Sequence, residues 1–158
     1  MKKRLFINGE WVDAQRYTQL YSPYSGEVIA EIPLADETET DRAIESAYQA
    51  REKMARMPAH QRAAILETLS RLIAERSEEA ARLIALEAAK PLAFARTEVS
   101  RSIATYKFAA EEAKRIHGET IALDAAPGGE GRLAYTVREP LGVIGAITPF
   151  NFPLNLVA

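Results

Sequence analysis

The apolar run Gly142-Val143-Ile144-Gly145-Ala146-Ile147, closed by Thr148-Pro149, constrains this chain more than any other stretch. It has no polar alternation, which predicts a strand of a parallel sheet covered on both faces. Such a strand needs helices above and below it, so the fold class expected is α/β. Gly142 and Gly145 remove side chains where another backbone or a ligand comes close. Pro149 cannot donate to a ladder and ends the strand. Asn151 then stands between Phe150 and Phe152, and Pro153 suits the first turn of a helix. Strand, shaped loop and helix start, in that order, are where open α/β sheets bind ligands.

The segments before that run supply the covering elements. Leu5-Phe6-Ile7 and Glu10-Trp11-Val12 flank Asn8-Gly9, the favoured two-residue hairpin turn, and Trp11 reads as the hairpin's anchor. Ser22 to Gly26 is a second turn, followed by a strand from Val28 to Ile32. Asp36-Glu37-Thr38-Glu39 has the spacing of a capping box. The helix it opens carries Ile44, Ala47, Tyr48, Arg51 and Met54 on one face. Pro58 separates it from a helix whose core stripe reads Ile65, Leu66, Leu69, Leu72 and Ile73. A third helix opens at Ser77-Glu78-Glu79, directs Leu83, Ile84 and Glu87 inward, and ends at Lys90-Pro91. A fourth runs from about Pro91 to His117, with Val99, Ile103, Tyr106, Ala110 and Ala113 on one stripe and Gly118 as stop. Glu119 to Leu123 and Arg132 to Arg138 read as two strands joined by a flexible turn. A two-stranded ribbon of this kind is marginal alone and calls for a partner to cover it.

Charge and composition exclude several classes. The net charge is −2 over 158 residues, which argues against nucleic-acid and membrane-surface partners. No apolar run approaches a membrane span, and Leu5-Phe6-Ile7 is too short for a signal-peptide core, so a cytoplasmic location is expected. With no cysteine the chain has no disulfide and no thiolate metal site. His60 and His117 are isolated, and no metal site is expected.

Arg138-Glu139-Pro140-Leu141-Gly142-Val143, followed by Ile147-Thr148-Pro149-Phe150-Asn151-Phe152-Pro153, resembles the NAD(P)-dependent aldehyde dehydrogenase superfamily. Asn8-Gly9-Glu10-Trp11, Ser22-Pro23-Tyr24-Ser25-Gly26-Glu27 and Asp41-Arg42-Ala43-Ile44 fall in that family's order. So do Glu87-Ala88-Ala89-Lys90-Pro91 and Glu98-Val99, except that Ala89 replaces the usual glycine. The resemblance covers essentially the whole chain but only the amino-terminal part of a family member. It implies that residues 1–118 begin the cofactor-binding domain, as small strands followed by helices. Residues 119–138 would be a protruding oligomerisation arm, and residues 139–158 the first strand and loop of a Rossmann-like parallel sheet.

The resemblance also implies a reaction and a set of roles. The reaction is oxidation of an aldehyde to a carboxylic acid with NAD or NADP, through a thiohemiacetal on a cysteine. This chain contains no cysteine, so by itself it is expected to be inactive. Asn151 is the expected oxyanion donor, because its amide N–H₂ stabilises negative charge without carrying charge itself. Ile147, Thr148, Pro149, Phe150 and Asn151 match positions that line the cofactor cleft. Phe150 and Phe152 would wall the aldehyde's approach. Arg101, in Glu98-Val99-Ser100-Arg101, reads either as a substrate contact or as a salt-bridged helix arginine. Its context leans towards lactaldehyde or non-phosphorylating glyceraldehyde-3-phosphate relatives, with semialdehydes open. A homo-oligomer, dimer or tetramer, through residues 119–138 is expected. The alternative is a non-catalytic remnant that binds other subunits through that arm.

Overall fold

A computed structural model describes residues 1–158. Asn8 and Gly9 both adopt positive φ (53° and 82°), so the strands β1 (Leu5–Ile7) and β2 (Glu10–Val12) close as a tight antiparallel hairpin. Phe6 and Trp11 face each other across it with ring centroids 4.9 Å apart. A second hairpin joins β3 (Arg16–Tyr21) to β4 (Val28–Leu34). Its turn is closed by the Gly26 amide donating to the Ser22 carbonyl at 2.8 Å. A bulge between Leu20 and Tyr21 shifts its register near the turn.

Four helices follow, α1 (Glu37–Ala55), α2 (Ala59–Glu75), α3 (Ser77–Ala88) and α4 (Leu92–Ala113). The capping box forms as expected. The Glu39 amide donates to the Asp36 carboxylate at 3.0 Å, and the Asp36 amide donates to Glu39 at 2.9 Å. The centre of the molecule is the packing of α2 and α3 against α4, along a seam of small residues. Ala63, Ala81, Ala95 and Ala110 are completely buried, which lets the backbones approach closely. The Ser70 hydroxyl donates to the Ile103 carbonyl at 2.9 Å and ties α2 to α4. On α4 the expected stripe of Val99, Ile103, Tyr106, Ala110 and Ala113 is buried or half-buried. On α2 the stripe is split: Leu66, Leu69 and Ile73 are half-buried, while Ile65 and Leu72 are exposed. Leu83 of α3 and the Ile44, Tyr48 and Met54 face of α1 are exposed as well.

The helix α4 ends at Ala113, short of His117, and leads to a small hairpin of β5 (Thr120–Ile121) and β6 (Ala134–Tyr135). Gly118 sits where an added Cβ would lie 1.6 Å from the Thr136 carbonyl oxygen, so the base of this hairpin requires glycine. Its strands are shorter than the sequence predicts, and Leu133, Tyr135 and Val137 are exposed.

The expectation of a buried parallel strand at Gly142–Ile147 is corrected. Residues 139–149 form no strand, and Leu141, Ile144 and Ile147 are exposed. The reason is physical: all three sheets of this chain are two-stranded antiparallel hairpins, and none of them pairs with this run. An unalternating apolar sequence specifies the surroundings a strand prefers, but a strand exists only with a neighbour to bond. The solvent-accessible surface reflects the same shortage of neighbours. It is 12001 Å² for 17.5 kDa, against roughly 7,900 Å² for a compact monomer of that mass. No helix is long and apolar enough to cross a membrane.

Ala89 ends α3 in the left-handed conformation, at φ 49° and ψ 32°. A Cβ in that region clashes with its own backbone, which glycine avoids. Ala89→Gly is therefore expected to stabilise the chain by about 1 kcal/mol. The gain should appear as a higher urea midpoint with unchanged denaturant slope.

Candidate functional site

The left-handed turn at Ala89 swings the chain so that Lys90 and Pro91 lead directly into α4. Glu98 follows on α4 in phase with Ala95, Val99 and Ser102, on the buried face. Its side chain is wholly buried, and Lys90 donates from Nζ to Glu98 Oε2 at 2.5 Å. The other carboxylate oxygen, Oε1, accepts from the backbone N–H groups of Leu154 (2.9 Å) and Asn155 (3.3 Å). Lys90 also donates to the Asn151 carbonyl at 2.7 Å. Its ammonium lies 4.2 Å from the centroid of the Phe152 ring, and the Arg101 guanidinium lies 5.8 Å from the same ring.

The segment around Asn151 is thus fastened from beneath. Leu154 packs against the core of Ala81, Ile84, Ala95 and Val99. The Leu156 amide donates to the Phe152 carbonyl at 3.1 Å, closing a single turn where Pro153 suggests a helix start. No buried side-chain nitrogen or oxygen lacks a partner, so the Lys90–Glu98 pair is satisfied as well as enclosed. Burial pushes the Glu98 carboxyl up. The Lys90 ammonium and the two backbone amides outweigh that, and the net direction is below the usual carboxylate range.

Two clefts share Lys90 in their walls. One, of 590 Å³, is lined by Pro23, Glu87, Lys90, Phe150, Asn151 and Pro153. The other, of 390 Å³, is lined by Lys90, Phe94, Thr97, Glu98, Arg101 and Phe152. Asn151 and Phe150 therefore border one cleft, and Arg101 and Phe152 the other. Ile147, Thr148 and Pro149 are exposed and line neither. The backbone from Val137 to Phe150 makes no hydrogen bond within the chain. Its N–H and C=O groups are open to a neighbouring strand or to a ligand.

Lys90 and Glu98 are the residues that reading the sequence for chemistry overlooks. A signal for Glu98 was present: a carboxylate in step with an apolar stripe is buried and must be paired. The pairing with Leu154 and Asn155 spans more than fifty residues, and no local pattern announces it.

A sequence model of the aldehyde dehydrogenase family matches residues 11–158. The lactaldehyde dehydrogenase of Methanocaldococcus jannaschii is 43% identical over 154 residues, which are 98% of this chain and 32% of that protein. The 3-sulfolactaldehyde dehydrogenase of Priestia aryabhattai is 39% identical over 97% of this chain and 32% of its own length. Among solved structures, the NADP-dependent glyceraldehyde-3-phosphate dehydrogenase of Bacillus halodurans C-125, complexed with NADP, superposes with a TM-score of 0.93. It is 37% identical and is matched over 99% of this chain and 33% of its own. The chain spans about a third of the length of the curated relatives it matches. A family match across nearly every residue, with the same backbone course as a solved member, makes this chain a member of the aldehyde dehydrogenase family.

Proposed function

We propose that this chain is the amino-terminal portion of an enzyme that oxidises an aldehyde to a carboxylic acid with NAD or NADP, and that Asn151 supplies its oxyanion donor. The observation that carries this reading is the fastening of the Asn151 segment to Lys90 and Glu98 at the edge of a cleft. The Asn151 side chain makes no hydrogen bond to the protein, so its N–H₂ is available to a substrate oxygen. Addition of a nucleophile to an aldehyde carbon places negative charge on the former carbonyl oxygen. A donor already fixed beside that oxygen stabilises the charge without reorganising as the reaction proceeds.

The nucleophile comes from elsewhere, because the chain contains no cysteine. The nicotinamide group, when bound, accepts the hydride. The residues at hand fit one end of such a cofactor. Ile147, Thr148, Pro149 and Phe150 offer open backbone groups and apolar surface. Residues 139–151 contain no lysine or arginine for its phosphates. These residues would hold the nicotinamide and ribose end, whose oxidised ring carries no negative charge, and leave the phosphates to other parts of the enzyme. Arg101, beside the Phe152 ring, would meet an anionic or hydroxylated tail on a short aldehyde, in keeping with the names of the lactaldehyde and glyceraldehyde-3-phosphate relatives. The exposed apolar residues Leu133, Tyr135 and Val137 suit residues 119–138 to pairing between subunits.

The test separates the chain from the enzyme. The chain alone, given lactaldehyde or glyceraldehyde-3-phosphate with NAD or NADP, is expected to form no reduced cofactor. A hybrid in which residues 1–158 replace the corresponding third of the Methanocaldococcus jannaschii relative is expected to turn over. Turnover by the chain alone, or an inert hybrid that folds and binds cofactor, overturns the proposal.

A further inference from the structure

The Lys90–Glu98 pair reaches further than an ordinary tie between helices. Every partner of the Glu98 carboxylate is a donor, and two of the three are amides in the segment after Asn151. Lys90 contacts that segment at Asn151 itself and at the Phe152 ring. Glu98 belongs to α4, whose burial against α2 and α3 makes it a rigid platform. The preceding residues, Val137 to Phe150, form no hydrogen bonds within this chain. Within this chain the polar contacts that hold the segment at Asn151 are those of this pair.

We infer that Glu98 and Lys90 are positioning residues for Asn151: the carboxylate holds the Leu154 and Asn155 amides, the ammonium holds the Asn151 carbonyl, and together they fix the carboxamide at its cleft. The inference deepens the reading of Asn151 as oxyanion donor and rests on it. Neither side chain touches a reacting atom. Lys90 serves by neutralising Glu98 and by clamping the backbone at 151, two roles that a neutral residue would not combine. The other ionisable groups lining the two clefts are Glu87 of α3 and Arg101 of α4.

Nitrogen–proton spectra of the 158-residue chain, taken between about pH 7 and about pH 3, test this without any catalytic measurement. The Leu154 and Asn155 backbone amides and the Asn151 side-chain amide are expected to move together in one step, below the ordinary glutamate range of about 4.3. Glu98→Gln should abolish that step, which separates Glu98 from Glu87. It should also speed hydrogen exchange at Leu154 and Asn155 by about tenfold or more, with a rise of less than about threefold at Val99 and Ile103. If Glu98→Gln does not fold, the titration of the unaltered chain decides the matter alone. An Asn151 side chain silent through a step that Leu154 and Asn155 register overturns the inference. So does exchange that rises equally along α4, which would make the pair simple packing support. Because these readouts concern geometry only, an inert hybrid enzyme leaves them standing, and their failure leaves the hybrid's activity standing.

Discussion

Asn151→Ala, in the hybrid enzyme described above, is expected to lower kcat by about 10²–10³-fold with little change in KM. The magnitude follows from when the interaction matters. The carboxamide donates weakly to a neutral carbonyl oxygen and strongly to the anion that forms from it, so its loss falls on the transition state. Folding should not obscure the result. Asn151 is exposed, and its side chain holds nothing in the chain, since Lys90 takes the backbone carbonyl that alanine retains. The melting temperature should therefore stay close to that of the parent. Steady-state kinetics with lactaldehyde and either cofactor, alongside a thermal melt, provide the check. A loss of less than about tenfold in kcat, with the fold intact, would remove Asn151 from the chemistry. A loss of similar size expressed in KM would make it a binding residue instead.

The parts of this structure legible in the sequence are those set by neighbours along the chain. Asn8-Gly9 dictates its own turn, because few other pairs tolerate positive φ at both positions. Asp36 and Glu39 satisfy each other's amides across three residues. The apolar stripe of α4 shows its period directly, and it is buried because α2 and α3 both lean on it. Ala89 was readable as a residue in a glycine's place, and its backbone adopts the glycine conformation regardless. What failed to read through depends on distant partners. Gly142 to Ile147 carries the composition of an enclosed strand and lies open, since composition records a preference and not a neighbour. The same holds for Ile65, Leu72 and the apolar face of α1, which have the right period and nothing against them. At the candidate site, motif reading reached Asn151 but not what supports it. A loop's shape is set by whatever it is fastened to, and the fastening to Glu98 crosses from one end of α4 to the far end of the chain.

Lys90→Met is expected to cost the chain about 3 kcal/mol at neutral pH, the lower end of what breaking a buried ion pair costs. At this size the midpoint of thermal unfolding falls by about 9 °C. Methionine fills much of the lysine's volume, so what is lost is the charge beside Glu98 and the donor to the Asn151 carbonyl. Glu98, with its side chain fully enclosed, would keep two amide donors and lose its only counter-charge. The dependence on pH identifies the cause by its sign. In the unaltered chain the folded Glu98 titrates below the unfolded value, so it binds its proton more readily when unfolded. Its contribution is complete above about pH 4.3, the unfolded value, and is lost as pH falls through the lower folded value. Without Lys90 the burial cost dominates, and the folded carboxyl is expected to titrate above the unfolded one. Its contribution then changes character: it favours the fold below about pH 4.3 and is lost as pH rises through the raised value. The gap between the two proteins should therefore be widest near neutrality and should narrow in acid, where Glu98→Gln offers a neutral reference. Urea unfolding of all three at about pH 7 and about pH 4 measures it. A gap that stays constant over that range would mean that Lys90 contributes only through Phe152 and the Asn151 carbonyl, and that the charge on Glu98 is borne by the Leu154 and Asn155 amides without it.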